Sequence, residues 1–403
     1  MKSQTSHIKL AASLALITVL GPLAIDMYLS SLPEIAIELG SSFANVQLTL
    51  TVFLLSMGLG QLIFGPITDA YGRKRPLMAG LVVFILMSLW AASADSIQTL
   101  LYARFGQGLS ASLILVVALS TVRDVSEGAQ AAQLFALLMT IEGLAPVLAP
   151  AVGGVIDGQW GWRAVFVAMA LMGVFALLNS QLNLKESLAA EDRIALNSKN
   201  VLGAYKNIIC TRSFILPAFS LSAAFFFLFA YIAGASLVYQ KTFLLSTEQF
   251  GFTFGATGTA VLLGAFLCNR LIGVLGIVKL SVYGAILMGL GAVCAAVMNT
   301  FAFGVYAIAA SFFISMMGLG IAESTFMALA MSSQKTALGS TAAVLGAMQL
   351  MIASFATPLA GYISELGAMH WLLLLCIIGI ILIALTLFTV ARLPNTADMA
   401  VEH

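Results

Sequence analysis

Charge is what this chain has least of. Of 403 residues only 9% are Asp, Glu, Lys or Arg, and 18 bases against 17 acids leave a net charge of +1. So thin and balanced a supply gives no basic footprint for nucleic acid. It also excludes an ordinary soluble surface, since soluble domains are about one quarter charged. Cysteine is sparse too: Cys210, Cys268, Cys294 and Cys376 stand apart with no CxxC pair, so neither a disulfide framework nor a metal site is indicated. His7, His370 and His403 lie in or near tails and loops, without a ligand cluster. No G-x-x-x-x-G-K-[ST] run is present, which leaves no recognisable ATPase and no call for a cofactor. Nothing here reads as an enzyme, and any uphill work must draw on an ion gradient or a separate partner.

What is abundant is apolar surface. Hydrophobic residues make up 61% of the chain and the mean hydropathy is +1.04, far more than a soluble core needs. A spanning helix takes about 20 apolar residues. The pattern predicts an all-α membrane protein with spans near 10–31, 43–64, 77–94, 98–122, 131–155, 164–183, 213–236, 247–267, 280–298, 302–328, 338–362 and 371–391. The polar, weakly basic start from Met1 to Lys9 leads into a run with no small-x-small cleavage site before Asp26, and reads as span 1, not as a removed signal peptide.

Charge placement then sets the expected orientation. All the Lys and Arg residues except Arg104, Arg163 and Lys241 fall in segments on one side of this topology, which the positive-inside rule makes cytoplasmic, together with both termini. The one long polar interval, 184–211, divides the chain into an N-terminal six-helix bundle (1–183), a cytoplasmic linker and a C-terminal six-helix bundle (212–403). At an offset of 204 residues, Tyr102-Ala103-Arg104 falls on Tyr306-Ala307-Ile308, Gly72 on Gly276, Arg75 on Lys279 and Gly80 on Gly284. The order of these weak matches points to parallel halves related by an axis along the membrane normal; chance matching among apolar residues is the other reading. Asp69 and Arg104 become Gly273 and Ile308, so the halves are not functionally equivalent.

The stretch Gly65-Pro66-Ile67-Thr68-Asp69-Ala70-Tyr71-Gly72-Arg73-Lys74-Arg75 packs glycine and charge between two apolar runs. It reads as a tight loop at the membrane surface, with Pro66 interrupting the helix. Four ionisable residues fall inside spans, where each is costly and therefore a candidate for function. Asp26 follows the Gly21-Pro22 weak point of span 1. A desolvated carboxylate there can load and release a proton; the plainer reading is a passive, hydrogen-bonded acid. Arg104 begins a stripe with Gly108 and Ser112 and must find an acid, carbonyls or water; a static ion pair with Glu142 of span 5 is the alternative. Glu323 in span 10 reads either as a second proton or cation site or as a side chain that snorkels to the surface. Phe226, Tyr231 and Met348, within a set of aromatic and thioether side chains, read as an adaptable substrate pocket or as ordinary core.

Taken as a set, the loop around Asp69, the Arg104-x-x-Gln107-Gly108 segment and the run Ala149-Pro150-Ala151-Val152-Gly153-Gly154 resemble the first loop motif, arginine motif and antiporter motif of major facilitator superfamily transporters. Asp26-Met27-Tyr28-Leu29 with Pro33, Thr121-Val122-Arg123-Asp124 and Trp160-Gly161-Trp162-Arg163 resemble the bicyclomycin-resistance/CflA group of drug:proton antiporters, which includes chloramphenicol exporters. Ala145 and Ala149 stand where the antiporter motif usually has glycine, which weakens the motif's evidence for direction.

The resemblance implies a bacterial inner-membrane monomer that exports small amphipathic compounds in exchange for protons by alternating access. Asp26, Arg104, Glu142 and Glu323 are then candidates for proton coupling, and Tyr28, Phe226, Tyr231 and Met348 for the substrate. Gly65, Asp69, Gly72, Arg73, Pro150, Gly153 and Gly154 are candidates for gating, with Asp69 near the N-terminus of span 11. A metabolite exporter or proton-coupled importer of the same fold, or a non-transporting membrane sensor, are the other readings.

Overall fold

The computed structural model describes residues 2–126, 128–334 and 338–392. Lys335 and the tail that holds His403, both part of the orientation argument, lie outside the described residues, as do the side chains of Lys2, His7 and Lys9. Twelve helices among the described residues are long and apolar enough to cross a membrane. Spans 1 to 6 are Leu10–Glu38, Phe43–Tyr71, Lys74–Ala92, Ile97–Val125, Gln133–Trp160 and Trp162–Asn183. Spans 7 to 12 are Arg212–Thr242, Thr247–Leu275, Ile277–Thr300, Val305–Ser332, Leu338–Glu365 and Ala368–Arg392. Most overrun the sequence estimate by a turn, because apolarity marks only the stretch that must avoid water, whereas a helix continues until a cap or a glycine stops it. Ser42 caps span 2 and Ser246 caps span 8 through a capping box with Gln249.

The spans form two six-helix bundles that meet along span 2 against span 11 and span 5 against span 8. The repeat seen in the sequence has a structural counterpart. Spans 2 and 8 are offset by 204 residues at both ends, and each stops at a glycine with positive φ, Gly72 at 87° and Gly276 at 77°. A side chain at either position would be strained, and so each chain reversal takes glycine. Gly80 lies against the Leu113 and Ile114 side chains of span 4, and Gly284 against the Gly318 and Ala322 backbone of span 10, so the equivalent glycine faces the equivalent span in each half.

One sequence expectation fails here. Pro66 does not interrupt the helix: span 2 runs through it to Tyr71, and the reversal is confined to Gly72 and Arg73. Proline has no N–H to offer the carbonyl of Leu62 one turn back. The Tyr205 hydroxyl supplies the missing donor at 2.9 Å. Tyr205 belongs to a helix, Ser198–Cys210, that lies inside the polar interval between spans 6 and 7 and was not evident from its composition.

Candidate functional site

The two ends of the molecule differ. At the end away from Arg73, Lys74 and Arg75, hydrogen bonds stitch the bundles together. Span 1 is broken there into helices Leu20–Asp26 and Leu32–Glu38 around a single turn of 3-10 helix, Leu29–Ser31. Pro33 removes the donor that a continuous helix would bring to the Leu29 carbonyl. Ser236 of span 7 donates to that carbonyl at 2.5 Å, and Gln240 donates to the Ser30 carbonyl at 2.9 Å. Gln47 donates to the Ala233 carbonyl at 2.9 Å, and the Thr51 and Thr357 hydroxyls meet at 2.6 Å. Glu365 of span 11 accepts from the Phe43 and Ala44 amides at 2.8 and 3.3 Å, a carboxylate at a helix N-terminus where the exposed N–H groups favour an anion.

Gly153 and Gly154 divide the close contacts of span 5 between the bundles. A methyl on Gly153 would overlap the Met27 carbonyl of span 1, and one on Gly154 would lie 2.5 Å from the Thr247 carbonyl oxygen of span 8. Small residues permit such backbone approach between membrane helices. Pro150 is buried in the same run, and its carbonyl lies against Gly251.

The basic end is open. A cavity of about 670 Å³ enters between the bundles, lined among others by Gln61, Gly65, Asp69, Arg73, Tyr205 and Ser340. On its bundle-1 wall Arg73 is buried and donates to Asp69 at 2.6 Å, to Asp124 at 2.9 Å and to the Thr68 hydroxyl at 3.0 Å. Burial works against the Arg73 charge, but the hydrogen bonds to Asp124 and Asp69 outweigh it and hold the guanidinium above its usual range. Glu186, from the interval after span 6, accepts the Arg73 amide at 2.7 Å and the Lys74 amide at 3.2 Å. Burial opposes its ionisation, yet these amides, that of Leu188 and the nearby Arg193 hold its carboxyl below the usual range.

Asp69 pairs with Arg73 and lines the same cavity as Leu338, Gly339 and Ser340 at the start of span 11, with no hydrogen bond or ion pair between them among the described residues. The group that does reach the start of span 11 is the Arg123 guanidinium, which lies against Gly339.

Inside bundle 1, Arg104 is fully buried. It donates to Gln107 and packs over the rings of Tyr28 and Phe53, 4.4 and 4.3 Å from their centroids, while its Nε and Nη2 have no hydrogen-bond partner among the described residues. The ion pair with Glu142 does not form: Arg104 faces spans 1, 2 and 6, whereas Glu142 is on the far side of span 5, beside Gly143, which packs on Leu262 of span 8. There Glu142 comes close enough to Glu323 of span 10 for their charges to interact, and its Oε1 has no hydrogen-bond partner among the described residues. Asp26 is buried and has no hydrogen bond or ion pair among the described residues.

The candidate substrate residues are divided between the two bundles. Tyr28 is buried on Thr49 and Phe166, and Tyr231 is buried against Phe254, Phe312 and Trp371 in the other bundle. Phe226 and Met348 are only partly buried, and none of the four lines the cavity at the basic end.

A broken first span, two six-helix bundles and a cavity between them are matched by sequence. The profile of the Major Facilitator Superfamily covers residues 14–358. The chain belongs to that superfamily. It is 36% identical over 361 residues to an uncharacterized MFS-type transporter, YdgK, of Bacillus subtilis, covering 88% of this chain and 89% of that one. It is 29% identical to a bicyclomycin resistance protein homolog of Haemophilus influenzae over 68% of this chain and 69% of the relative. With the multidrug resistance protein MdtL of Escherichia coli it shares 37% identity over 49% of this chain and 51% of the other. Its fold is that of the xylose transporter XylE from E. coli in a partially occluded inward open conformation, at a TM-score of 0.73 and 13% identity, over 96% of this chain and all of that one. The superfamily member is therefore a multi-pass inner-membrane transporter and not an enzyme.

Sequence reasoning missed several of this transporter's polar residues. Asp157 was left outside span 5, but the helix continues to Trp160 and Asp157 is only 4% exposed. Its position four residues beyond Gly153, on the same helical face, is the signal that would have found it. Ser236, Gln47 and Glu365 gave no signal, because their partners are backbone groups brought close only by tertiary packing.

Proposed function

We propose that this transporter exports small amphipathic compounds in exchange for protons, with the basic end and both termini in the cytoplasm. The observation that carries the reading is Asp26, a buried acid with no partner among the described residues, at the break in span 1 of a molecule sealed at one end and open at the other. A carboxylate withdrawn from water without a cation or donor is costly, and a proton relieves that cost. Cytoplasmic substrate enters by the cavity. A proton taken up from outside neutralises Asp26 and favours release of substrate to that side, and loss of the proton inward resets the carboxylate. The buried, acid-free Arg104 biases the same bundle against excess positive charge. The relatives named for bicyclomycin and multidrug resistance support a drug-like substrate.

The test is purified protein in liposomes with an imposed pH gradient, bicyclomycin and chloramphenicol as probes, and a pH-sensitive dye to follow protons. Drug and protons are expected to move in opposite directions. Asp26→Asn is expected to bind drug with little pH dependence and to stop driven movement. Drug moving with the protons would make the chain an importer. Driven export by Asp26→Asn, together with its loss in Glu142→Gln or Glu323→Gln, would transfer coupling to those acids.

A further inference from the structure

Helix Ser198–Cys210 turns one face inward and leaves the other uncovered. On the inner face Val201 and Tyr205 line the cavity and Ile208 is buried, a stripe at helical spacing. The helix packs on spans 7 and 11 of bundle 2, while Tyr205 donates to the Leu62 carbonyl of bundle 1 at 2.9 Å. Its start is fixed as well. The Asn197 side chain accepts from the Lys199 and Asn200 amides at 3.1 and 3.3 Å, and the Ile194 amide donates to the Asp69 carbonyl at 3.2 Å. These contacts set which residues face away from the protein.

Those residues form a second stripe. Lys199, Leu202, Lys206 and Ile209 follow one another at helical spacing, and all are exposed, Leu202 at 66% and Ile209 at 45%. Cation and large apolar side chain alternate along it. The helix contains no acid, and neither lysine joins an ion pair among the described residues. Glu191 and Asp192 precede it in a separate turn of 3-10 helix. In water the apolar pair would gain nothing from this exposure. At a membrane interface headgroups take the cations and the acyl boundary takes the apolar side chains.

The depth of the helix fits that setting. Span 2 has 29 residues, which make about 44 Å of helix against a hydrocarbon core of about 30 Å. Leu62 stands about 14 Å above the basic end of that span, at Tyr71, and hence within the core. Tyr205 reaches it from the basic side. Cys210, the last residue of the helix, is separated only by Thr211 from Arg212, where span 7 begins. Both anchors hold the helix at the membrane boundary.

We infer that the outward face of helix Ser198–Cys210 docks on anionic phospholipid headgroups of the leaflet at the basic end, with Lys199 and Lys206 on the phosphates and Leu202 and Ile209 in the acyl boundary. A ligand stabilises the state that it binds. Lipid held there therefore favours the placement in which Tyr205 supplies the donor that Pro66 withholds. Neither the substrate nor the direction of transport enters into this.

The experiment attaches a fluorophore at Gly203→Cys, an exposed position with nothing within 4 Å of an added side chain, in the full chain with its four native cysteines replaced by alanine. Liposomes contain equal parts of phosphatidylglycerol and phosphatidylcholine, with a quenching doxyl group on the acyl chain of one lipid or of the other. Quenching by the anionic lipid is expected to exceed that by the zwitterionic one, each lysine being worth about a fivefold local enrichment. Lys199→Gln with Lys206→Gln is expected to abolish the difference, and Lys199→Arg with Lys206→Arg to keep it. Lys279→Gln, an exposed cation at the start of span 9, is expected to change nothing. Equal quenching by the two lipids in the parent, no quenching by either, or an equal loss in Lys279→Gln overturns the docking. Loss of the preference on adding inorganic phosphate at constant ionic strength would make this a site for free anions and overturn it too.

Discussion

Replacing Ser236 with alanine should release the outer seal by a calculable amount. Ser236 and Leu29 are both fully buried, and the Ser236 hydroxyl reaches the Leu29 carbonyl at 2.5 Å across the bundle interface. Pro33 denies that carbonyl the amide a continuous helix would supply. Removing the hydroxyl in the sealed state leaves a buried acceptor without this donor, at about 1–3 kcal/mol. In the outward-open state water replaces the hydroxyl, and the substitution costs little. The loss therefore falls on one conformation, and the open-to-closed ratio should rise about 5- to 150-fold. Spin labels at Ser93→Cys and Thr300→Cys, exposed at the outer ends of different bundles, in the full chain with its four native cysteines replaced by alanine, read this as growth of the long-distance population. Ser222→Ala is the control, because the Ser222 hydroxyl bonds only to the Ala218 carbonyl of its own helix at 2.8 Å. An unchanged distribution in Ser236→Ala, or an equal change in Ser222→Ala, would refute the argument.

Gly154→Ala should act in the same direction by sterics, since its methyl would lie 2.5 Å from the Thr247 carbonyl oxygen only while spans 5 and 8 are sealed. Gly65→Ala, with nothing within 4 Å of the added methyl, should leave the label distances alone. Glu186→Gln should lower the melting temperature at pH 7, because a carboxyl held below its usual range stabilises the fold above the unfolded-state value and loses that contribution as pH falls through the folded one. The difference from the parent should shrink toward pH 4, and a constant difference would show that its contacts do not depend on the charge.

The span count, the two-bundle division and the repeat were legible because each rests on a one-dimensional signal. Apolar length sets a span, and a glycine at the same offset sets the same turn: Gly72 and Gly276 both carry positive φ. That Arg104 has to be accommodated inside the bundle was legible too, since an arginine amid apolar residues cannot shed its charge. Its partner was not. Sequence spacing offered Glu142, but the helix face that carries Arg104 turns to Tyr28 and Phe53, and the face that carries Glu142 turns to the other bundle and Glu323.

Pro66 and Pro33 show the same divide. The sequence alone determines that each leaves one carbonyl without its helical donor, because the missing N–H is a covalent fact. Whether the helix then breaks was decided by what packing brought near. Tyr205 reaches the Leu62 carbonyl and span 2 continues, whereas span 1 breaks at Leu29–Ser31 and its freed carbonyl serves the seal through Ser236. Which end is closed likewise depends on distances between residues hundreds of positions apart, as with Phe43 and Glu365. Those distances are set by how the two bundles lean together, and no local pattern records that angle.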